Sequence, residues 1–434
     1  MSECVAFDIS RLFIGPMNSA PRGIDRVDLG YARHFFERWN GDSAGVLPTP
    51  WGIRWFNRER SLRVINFIED FWSETEEPNE SLAYRWVKAR LGGEQIPPPA
   101  NTEARSVAGR LVRGFAEFCR RYGLALGQPI NSLPKGTIYL NTGQITLAVP
   151  QLLRWLDTRQ DIAPVFMLHD AIPIDHPEFC LPRSRRLHEQ MIANTARKAA
   201  GLIVTTEAAG SSIRNALSRF GRSNLPTLVA PLPVAGAFLR RRAADAELRG
   251  KTYFVAAGAI EPRKNHLLLF NVWRHMALES GPTTPKLVLV GSRTRLGARV
   301  GEILDHCPLL KEHVIEIAGL PTPALCQLLS SARALLMPSF AEGFGLPVIE
   351  ALALGTPAIA SDLPSHREAA GDYATYVSSA DEIGWREAIR RHATNGNPSA
   401  QVRLRAQSYR PQTWEDYFHR LQPFIYSAAV GKHR

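Results

Sequence analysis

The stretch PSFAEGFGLPVIEALALGTP, residues 338–357, decides the fold of the second half of the chain. The apolar residues 334–337 before it predict a strand, and two glycines mark the loop that follows. A helix is predicted to begin near Pro347, because proline is well tolerated in a first helical turn, and to end at Gly355. Glycines let backbone N–H groups approach a ligand, and a helix N-terminus favours a diphosphate there. The stretch therefore predicts a strand–loop–helix unit with an anion site at its loop.

Two carboxylates accompany this predicted anion site. Glu342 lies in the loop, and Glu350 lies one turn into the helix. Carboxylates repel phosphate, but they accept hydrogen bonds from the sugar hydroxyls on either side of a diphosphate. The pair therefore favours a nucleotide-activated sugar as the ligand. The alternative is an ordinary capped helix with two surface glutamates.

The second half of the chain alternates predicted strands with helical patterns. The strands are predicted at 253–257, 286–290, 314–318, 334–337 and 357–360. Repeated β–α units of this kind predict a mostly parallel sheet that is covered by helices on both faces. The second half is therefore predicted to be a doubly wound α/β domain.

The first half begins with a similar unit. A buried strand is predicted at 4–9, a glycine-bearing loop at 15–23 and a helix at 24–39. Further strands are predicted at 137–140, 165–169, 202–205 and 227–230, after an irregular insertion at about 40–125. Because two prolines and a glycine interrupt both periodicities at 230–236, this segment is interpreted as a linker. With 434 residues the chain exceeds the usual size of one core, so two domains are predicted, at 1–235 and 236–411.

The stretch around 342–350 resembles the retaining glycosyltransferases of family 4, whose hallmark is Glu, seven residues and Glu. The flanking E-G-F-G-L-P-x-x-E-A-L-A-x-G-T-P makes this resemblance specific. It implies the α/β GT-B fold, in which two Rossmann-like domains face each other across a cleft and a C-terminal helix, here 412–434, crosses back to the first domain. It also implies an acceptor-binding first domain, a donor-binding second domain, and catalysis with retention and without a metal.

The resemblance assigns the donor site residue by residue. Glu350 is expected to bind the ribose hydroxyls, and Glu342 is expected to lie against the transferred sugar. Further contacts with the nucleotide sugar are expected at Gly23, Gly258, Gly319, Leu320, Gly343, Phe344, Gly345 and Leu346. Of these, the N–H groups near Gly345 and Leu346 would hold the diphosphate, and Gly319 and Leu320 would lie by the nucleobase.

A second signal is AGAIEPRKNH, residues 257–266, directly after a predicted strand. Adjacent Arg263 and Lys264 supply a counter-charge for a departing diphosphate. Where the family commonly has Gly-Arg and later Lys-Gly, this chain has Ala259 and Asn265. Arg263 must therefore supply the guanidinium. The alternative is a solvated Arg-Lys pair.

A third signal is VFMLHDAIP, residues 165–173, where His169 emerges at the carboxyl edge of a predicted strand. Open α/β sheets bind ligands at that edge. The segment resembles the family's HD-x-x-P, whose histidine faces the transferred sugar, and Asp170 accompanies it. Thr206, at the end of the next strand, is expected to line the same region. Standing alone, His169 would more often be a structural histidine.

The loop and helix at 20–27, APRGIDRV, resemble bacterial family 4 enzymes that build cell-surface polysaccharide. Gly23 is expected to permit close backbone approach, while Arg22 or Arg26 would meet a phosphate. The alternative is plain loop geometry, with Asp25 and Arg26 forming a surface pair.

The net charge of +11 and the pI near 9.7 indicate an anionic partner. The expected partners are a nucleotide-diphosphate sugar and a saccharide or polyprenyl-diphosphate-linked acceptor. A basic amphipathic helix predicted at 103–122 suits an anionic membrane surface, or else packs on a core. The basic residues form no run and no nucleic-acid-binding motif, so nucleic acid is not expected. Scattered cysteines, no signal peptide and no apolar span predict a cytoplasmic protein that is peripheral to the membrane at most.

No cofactor is expected, because the sequence has no Asp-x-Asp, no metal-spaced His/Cys cluster and no dinucleotide or P-loop fingerprint. Two rival functions remain open. A sugar-nucleotide epimerase of the same fold would act without an acceptor, and a catalytically idle carbohydrate-binding scaffold would not turn over the donor. The Glu-x7-Glu segment favours transfer over both.

Overall fold

A computed structural model of the protein describes residues 4–14, 21–72, 77–99, 127–240, 245–394 and 397–432. The chain divides into two units. Unit 1 comprises Met1–Glu74, Glu103–Pro233 and Gln412–Arg434, and unit 2 comprises Thr75–Thr102 and Val234–Pro411. The linker predicted at 230–236 therefore spans the observed boundary between Pro233 and Val234.

Unit 1 is built on an eight-stranded sheet with the order β4-β3-β2-β1-β5-β6-β7-β8. Five of its strands were predicted, and they pair in parallel: β1, β5, β6, β7 and β8. The antiparallel pairs are β2 with β3 and β3 with β4. The bounds are β1 (Val5–Asp8), β2 (Ser43–Thr49), β3 (Gly52–Asn57), β4 (Gln128–Pro129), β5 (Ile138–Asn141), β6 (Ala163–Met167), β7 (Gly201–Val204) and β8 (Thr227–Val229).

Unit 2 contains a six-stranded sheet that is parallel throughout, with the order β11-β10-β9-β12-β13-β14. Its bounds are β9 (Tyr253–Ala257), β10 (Lys286–Val290), β11 (Val314–Ile317), β12 (Leu335–Met337), β13 (Ala358–Ser361) and β14 (Thr375–Val377). All five strands predicted for this half are present. From β9 the chain adds β10 and β11 on one side of the sheet, and it then adds β12, β13 and β14 on the other side. The loops after the neighbouring strands β9 and β12 therefore leave the same sheet edge side by side, where α/β sheets bind ligands.

The helices within the described residues connect these strands. Their bounds are α1 (Ser10–Ile14), α2 (Gly23–Arg33), α3 (Arg58–Trp72), α4 (Leu82–Gly92), α5 (Trp155–Thr158), α6 (Ile172–Asp175), α7 (Pro182–Lys198), α8 (Glu207–Ser218), α9 (Gly236–Leu239), α10 (His266–Ser280), α11 (Ala298–His306), α12 (Pro308–His313), α13 (Thr322–Ser331), α14 (Leu346–Ala353), α15 (Pro364–Ala370), α16 (Glu382–Ala393), α17 (Asn397–Gln407) and α18 (Trp414–Lys432). A π-helical turn, His34–Arg38, follows α2 directly, and the two together correspond to the helix predicted at 24–39. None of these described helices combines the length and apolar content needed to cross a bilayer.

The C-terminal helix α18 belongs to unit 1, as the family resemblance predicts. Its Phe418 ring stacks on His34 with ring centres 3.6 Å apart and lies 5.2 Å from the Tyr31 ring. The Tyr417 hydroxyl is hydrogen-bonded to the Tyr31 hydroxyl. Aromatic pairs add about 0.5–1.5 kcal/mol each beyond their buried area. These contacts with α2 therefore anchor the end of the chain to the unit in which it began.

The prediction of an irregular insertion at 40–125 within the first domain is wrong in two respects. The strands β2 and β3 form a regular antiparallel hairpin in unit 1. Moreover, Thr75–Thr102 belongs to unit 2, where the Tyr84 hydroxyl donates to Asp245 Oδ2 at 2.8 Å and the Lys88 ammonium lies 3.4 Å from the same carboxylate. These are contacts between residues far apart in sequence. The basic helix predicted at 103–122 lies outside the described residues.

The hairpin has no clear sequence pattern because its first strand does not alternate. Ser43 to Leu47 are buried at five successive positions, so apolar and polar residues are not segregated to two faces. Gly45 and Pro48 also lower the β-propensity of this strand. Pairing with β1 on one side and β3 on the other stabilises it.

Candidate active site

The loops that follow β9 and β12 meet in unit 2. The backbone N–H of Phe340 donates to the carbonyl of Arg263 at 2.9 Å. The Arg263 side chain in turn donates from Nη1 to the carbonyl of Ala341 at 2.7 Å. The contact follows from the pairing of β9 with β12, which brings two segments 78 residues apart to one sheet edge. The two strongest motifs of the sequence therefore form one site.

Three predicted catalytic side chains form an ion-pair cluster in this site. The Glu342 carboxylate lies 2.6 Å from Lys264 Nζ through Oε1 and 2.8 Å from Arg263 Nη1 through Oε2. Arg263 also pairs with Glu261 at 2.7 Å. Burial opposes ionisation of Glu342, but Arg263, Lys264 and nearby His366 lower its pKa well below the usual range. Glu342 is therefore ionised at any physiological pH, and the two cations are held in place by it.

The start of α14 lies beside this cluster. Gly345 precedes the helix with a φ of +99°, a conformation that disfavours other residues. A Cβ at this position would lie 2.7 Å from Cδ2 of His366. α14 therefore begins shortly after Glu342 and close to His366, and the anion site expected at its first N–H groups stays a prediction.

His366 is a site residue that the sequence analysis missed. Its Nδ1 lies 2.8 Å from the carbonyl of Ser361, so this nitrogen carries the hydrogen. Its Nε2 is buried and has no hydrogen-bond partner among the described residues. Burial lowers the pKa of the ring, although Glu342 opposes the shift. His366 lies in the first turn of α15 and belongs to no sequence motif, and only the fold brings it to Gly345.

The other residues predicted to contact the nucleotide sugar lie in unit 2, apart from Gly23. Phe344, Leu320 and Glu350 are buried, with Glu350 inside α14. Gly258 and Gly319 both have positive φ, at +142° and +69°, in the loops after β9 and β11. Gly343 and Leu346 flank Phe344 and Gly345, with Gly343 in the loop before α14 and Leu346 as the first residue of the helix. Their assigned roles stay predictions.

Asn265 explains how the chain departs from the family pattern without losing the local geometry. It has a φ of +54° in the left-handed region, which asparagine tolerates better than most residues. Its Nδ2 donates to the carbonyl of Ser379 at 2.9 Å. Asparagine therefore replaces the family's glycine after Lys264 and adds a contact to the loop before α16.

We expect Asn265→Val to destabilise the protein by about 2 kcal/mol, because a β-branched residue is disfavoured at positive φ and the hydrogen bond to Ser379 is lost. Asn265→Gly, the family residue, should cost less, since glycine adopts this conformation readily. Urea unfolding of both variants measures the difference. Equal losses would show that the backbone conformation at 265 does not matter.

Unit 1 contains the remaining predicted residues. His169 follows β6 and is buried, and its Nε2 lies 3.1 Å from the carbonyl of Thr142. Burial, with the nearby Arg11 charge, lowers the pKa of His169 to about 4, so the ring is neutral. Asp170 accepts a hydrogen bond from the N–H of Ile172 at 3.0 Å. Asp170 thus has a local structural contact at the start of α6.

Thr206 and the loop residues before α2 are also occupied by local contacts. The Thr206 hydroxyl accepts from the N–H of Ala209 at 3.0 Å and caps α8. Gly23 is the first residue of α2, Arg22 precedes it, and the Arg22 N–H donates to Asp25 Oδ2 at 2.9 Å. Arg26 Nη1 donates to the carbonyl of Pro21 at 2.9 Å. The alternative of an Asp25–Arg26 surface pair is wrong, because Asp25 is buried and pairs with Arg11 at 2.8 Å.

A buried acid near His169 was also missed. Asp28 is completely buried in α2, and it accepts from the Thr142 hydroxyl through Oδ1 at 2.7 Å. Its Oδ2 has no hydrogen-bond partner among the described residues. Burial raises the pKa of Asp28 to about 7, although Arg11 and Thr142 oppose the shift. A sequence signal existed: Asp28 lies one helical turn after Asp25, on the buried side of the helix.

We expect Asp28→Asn to stabilise the protein more at pH 8 than at pH 5. Because the folded-state pKa near 7 is above the ordinary value of 3.8, the native state holds this proton more tightly than the unfolded state. The Asp28 carboxyl therefore makes its full contribution to the free energy of unfolding below about pH 4, and this contribution is lost as the pH rises through about 7. Asparagine does not ionise and still accepts from Thr142. The measurement is the difference in melting temperature between variant and wild type at several pH values, and a constant difference would contradict the burial effect.

Within the described residues, no group of three or more His, Cys, Asp or Glu side chains is arranged to hold a metal ion. In unit 2 the Arg263, Lys264 and Glu342 side chains converge as described above.

Residues 240–409, within unit 2, match the family described as glycosyl transferases group 1. An O-antigen chain mannosyltransferase, RfbU of Salmonella typhimurium, is 36% identical over 143 residues, which are 32% of this chain and 38% of the relative. The serotype-specific mannosyltransferase WbdA of Escherichia coli is 25% identical over 259 residues, 56% of this chain and 32% of the relative. This chain spans about a third of the length of these curated relatives.

The fold resembles solved structures across nearly the whole chain. Anabaena HepE in complex with UDP and glucose aligns with a TM-score of 0.61 and 14% identity, over 98% of this chain and 100% of that one. Sucrose-phosphate synthase from Thermosynechococcus elongatus aligns with a TM-score of 0.58 and 15% identity over the same shares. At such low identity these likenesses show the fold alone.

Two Rossmann-like units, with the C-terminal helix belonging to the first, have the GT-B fold. Residues 240–409 match the group 1 glycosyl transferases, and this match supports the resemblance of the stretch 338–357 to the family 4 enzymes.

Proposed function

We propose that the protein is a retaining, metal-independent glycosyltransferase of bacterial polysaccharide synthesis. It moves a hexose from a GDP- or UDP-linked donor to a glycan or a polyprenyl-diphosphate-linked saccharide. The observation that carries the proposal is the cluster of Lys264, Arg263 and Glu342 beside the start of α14. A donor diphosphate at this helix start would lie next to two cations.

The cluster suits a leaving group that gains negative charge. An ammonium group has three N–H donors, and Lys264 directs one of them to Glu342. A preorganised cation beside the departing phosphate stabilises charge that develops in the transition state. Lys264, Arg263 and the N–H groups before α14 would thus perform the role that a divalent cation performs in other glycosyltransferases. The ionised Glu342 carboxylate holds both cations in place and accepts a hydrogen bond from a sugar hydroxyl.

Retention is proposed from the family resemblance. No residue of the predicted site is assigned as a nucleophile, which suits front-face substitution: the donor's glycosidic C–O bond breaks, the acceptor oxygen bonds to the same face of C1, and the leaving phosphate takes the acceptor's proton. His169 is proposed to face the transferred sugar, and Glu350 is proposed to bind the ribose hydroxyls.

Mannose is the preferred donor sugar. RfbU and WbdA are both described as mannosyltransferases. GDP-mannose is therefore the first donor to test, followed by UDP-glucose. A saccharide linked to a polyprenyl diphosphate is the proposed acceptor, since the net charge of +11 favours an anionic partner and a membrane surface.

A thermal-shift panel of nucleotide sugars identifies the donor, because a ligand that binds the folded state raises the melting temperature by mass action. The donor found is then incubated with and without a lipid-linked disaccharide, with and without EDTA, and the anomeric configuration of the product is determined by NMR. Retained configuration and transfer in EDTA are expected. Isomerised donor without acceptor would indicate an epimerase, and donor binding without any turnover would indicate an idle scaffold.

Membrane association is tested separately. Sedimentation with vesicles that contain anionic lipid should carry the protein into the pellet at low salt and release it at high salt. A protein that remains in the supernatant at low salt would contradict the proposed peripheral location.

A further inference from the structure

Three adjacent strands of unit 1 end at the same edge of the sheet. The order β1-β5-β6 brings together Arg11, just after β1, the turn 141–144 after β5, and His169 after β6. His169 Nε2 lies 3.1 Å from the Thr142 carbonyl oxygen. A carbonyl oxygen only accepts, so Nε2 must carry the hydrogen. The contact therefore selects one of the two tautomers of the neutral ring.

The turn that supplies this carbonyl is held from several sides. The Thr142 hydroxyl donates to Asp28 Oδ1 at 2.7 Å, and Arg11 Nη1 donates to the Gly143 carbonyl at 3.2 Å. The N–H of Gln144 donates to Asn141 Oδ1 at 3.1 Å. Thr142 thus links Asp28 to His169, because its side chain contacts Asp28 and its carbonyl contacts His169.

Two features of this region are costly for the fold. Asp28 Oδ2 is buried without a hydrogen-bond partner among the described residues. Gln144 has a φ of +66°, a strained conformation for a residue that is not glycine. Buried orphan groups and strained backbone are uncommon, and they concentrate where function requires them. Both lie around the Thr142 carbonyl that contacts His169.

Charged groups around the ring favour the same neutral state. Arg11 and Asp170 are the charged neighbours of His169, and the positive charge of Arg11 disfavours a second proton on the ring. Asp28 faces Arg11, Asp25 and Asp8. Since the proton is on Nε2 and the ring is neutral, Nδ1 is left as a hydrogen-bond acceptor.

We propose that Asp28 and Thr142 are positioning residues that hold His169 in its Nε2–H tautomer, so that Nδ1 accepts a hydrogen bond from a hydroxyl group of a bound carbohydrate. The identity of that carbohydrate rests on the proposed function. The tautomer and its cause rest on the contacts of unit 1 alone. Thr142 and Asp28 act through His169 and do not themselves touch the sugar.

The test uses the full chain with ¹⁵N-labelled histidine, and His169→Gln identifies the signals of His169. Two-bond ¹H–¹⁵N spectra distinguish the two neutral tautomers from the cation. We expect the wild type to show the Nε2–H tautomer from pH 8 down to about pH 5, since the pKa of His169 is about 4. Thr142→Val, which removes the hydroxyl at similar volume, should give mixed tautomers, and Thr142→Ser should restore the single one.

A matched control is available in the same unit. The Thr195 hydroxyl is buried in α7 without a hydrogen-bond partner among the described residues, so Thr195→Val removes a buried hydroxyl without removing such a bond. It should leave the His169 signals unchanged. In transfer assays, Thr142→Val and Asp28→Ala should each lower kcat about tenfold, at the lower end of the effect of removing a partner that orients a metal-binding histidine, while Thr142→Ser and Asp28→Asn retain most of it.

The outcomes separate this inference from the proposed function. An Nδ1–H tautomer in the wild type, or His169 signals identical in Thr142→Val and wild type, would overturn it whatever the activity. If the spectra behave as expected but kcat does not change in Thr142→Val, the positioning role in turnover is refuted. If no donor is turned over although the tautomer depends on Thr142, the proposed function fails and the assignment of the tautomer stands.

Discussion

Lys264→Ala is expected to lower turnover by about a hundredfold or more, with a smaller effect on donor affinity. The ammonium lies 2.6 Å from Glu342 and, in the proposed mechanism, next to the departing diphosphate. The ammonium interacts most strongly with the phosphate in the transition state, when the phosphate gains negative charge. Removing the ammonium should therefore lower kcat more than it raises KM. Steady-state kinetics with the donor found by thermal shift measure both constants.

The matched control for this variant is Lys251→Ala, which removes an exposed lysine of the same unit just before β9. It should retain wild-type turnover. Lys264→Arg keeps the charge but not the compact ammonium geometry and should fall between the two. If Lys264→Ala and Lys251→Ala were equally active, the assignment of the leaving-group site would be wrong.

Glu342→Gln should produce a loss of similar size for a different reason. The substitution keeps the volume but leaves Arg263 and Lys264 without the carboxylate that orients them. Removing one partner from a mostly buried ion pair also destabilises the fold, by about 3 kcal/mol. Turnover must therefore be measured well below the melting temperature of the variant. Full activity of both Glu342→Gln and Lys264→Ala would contradict the proposed mechanism.

Gly291→Ala is expected to produce a large loss of stability, about 3 kcal/mol, or a melting temperature lower by about 10 °C. A Cβ on residue 291 would lie 1.9 Å from the carbonyl oxygen of Gly258 and 2.6 Å from its carbon. Neither backbone segment can move freely, because the Gly258 N–H is bonded to Val290 and the Gly291 N–H to Ile317. The clash would also displace the loop that precedes Arg263.

Gly236→Ala provides the control for this substitution. Nothing lies within 4 Å of a Cβ at residue 236, and this glycine does not have a positive φ. It should therefore leave the melting temperature unchanged or slightly raised. Comparable melting temperatures for Gly291→Ala and Gly236→Ala would mean that the β9 and β10 loops are less closely packed than the structure shows.

Much of unit 2 could be predicted because its signals are local. Each predicted strand is a short apolar run between helical patterns, and a buried parallel strand needs nothing else to be recognised. The loop-to-helix transition at Gly345 and Leu346 was evident from glycine and proline alone. Glu342, Arg263 and Lys264 belong to such loops, so parallel strand ends were enough to bring them to one edge.

Sequence alone determined the fold class, the ten strands that were predicted, and which loops carry the charges, because periodicity, glycine and proline act over a few residues. Tertiary structure decided the rest. It alone placed Tyr84 and Lys88 in unit 2, packed His366 against Gly345, and joined Asp28 through Thr142 to His169. These contacts depend on which strands are neighbours in a sheet and on which buried polar groups find partners. Contacts between residues far apart in the chain produce no periodic pattern in a single sequence.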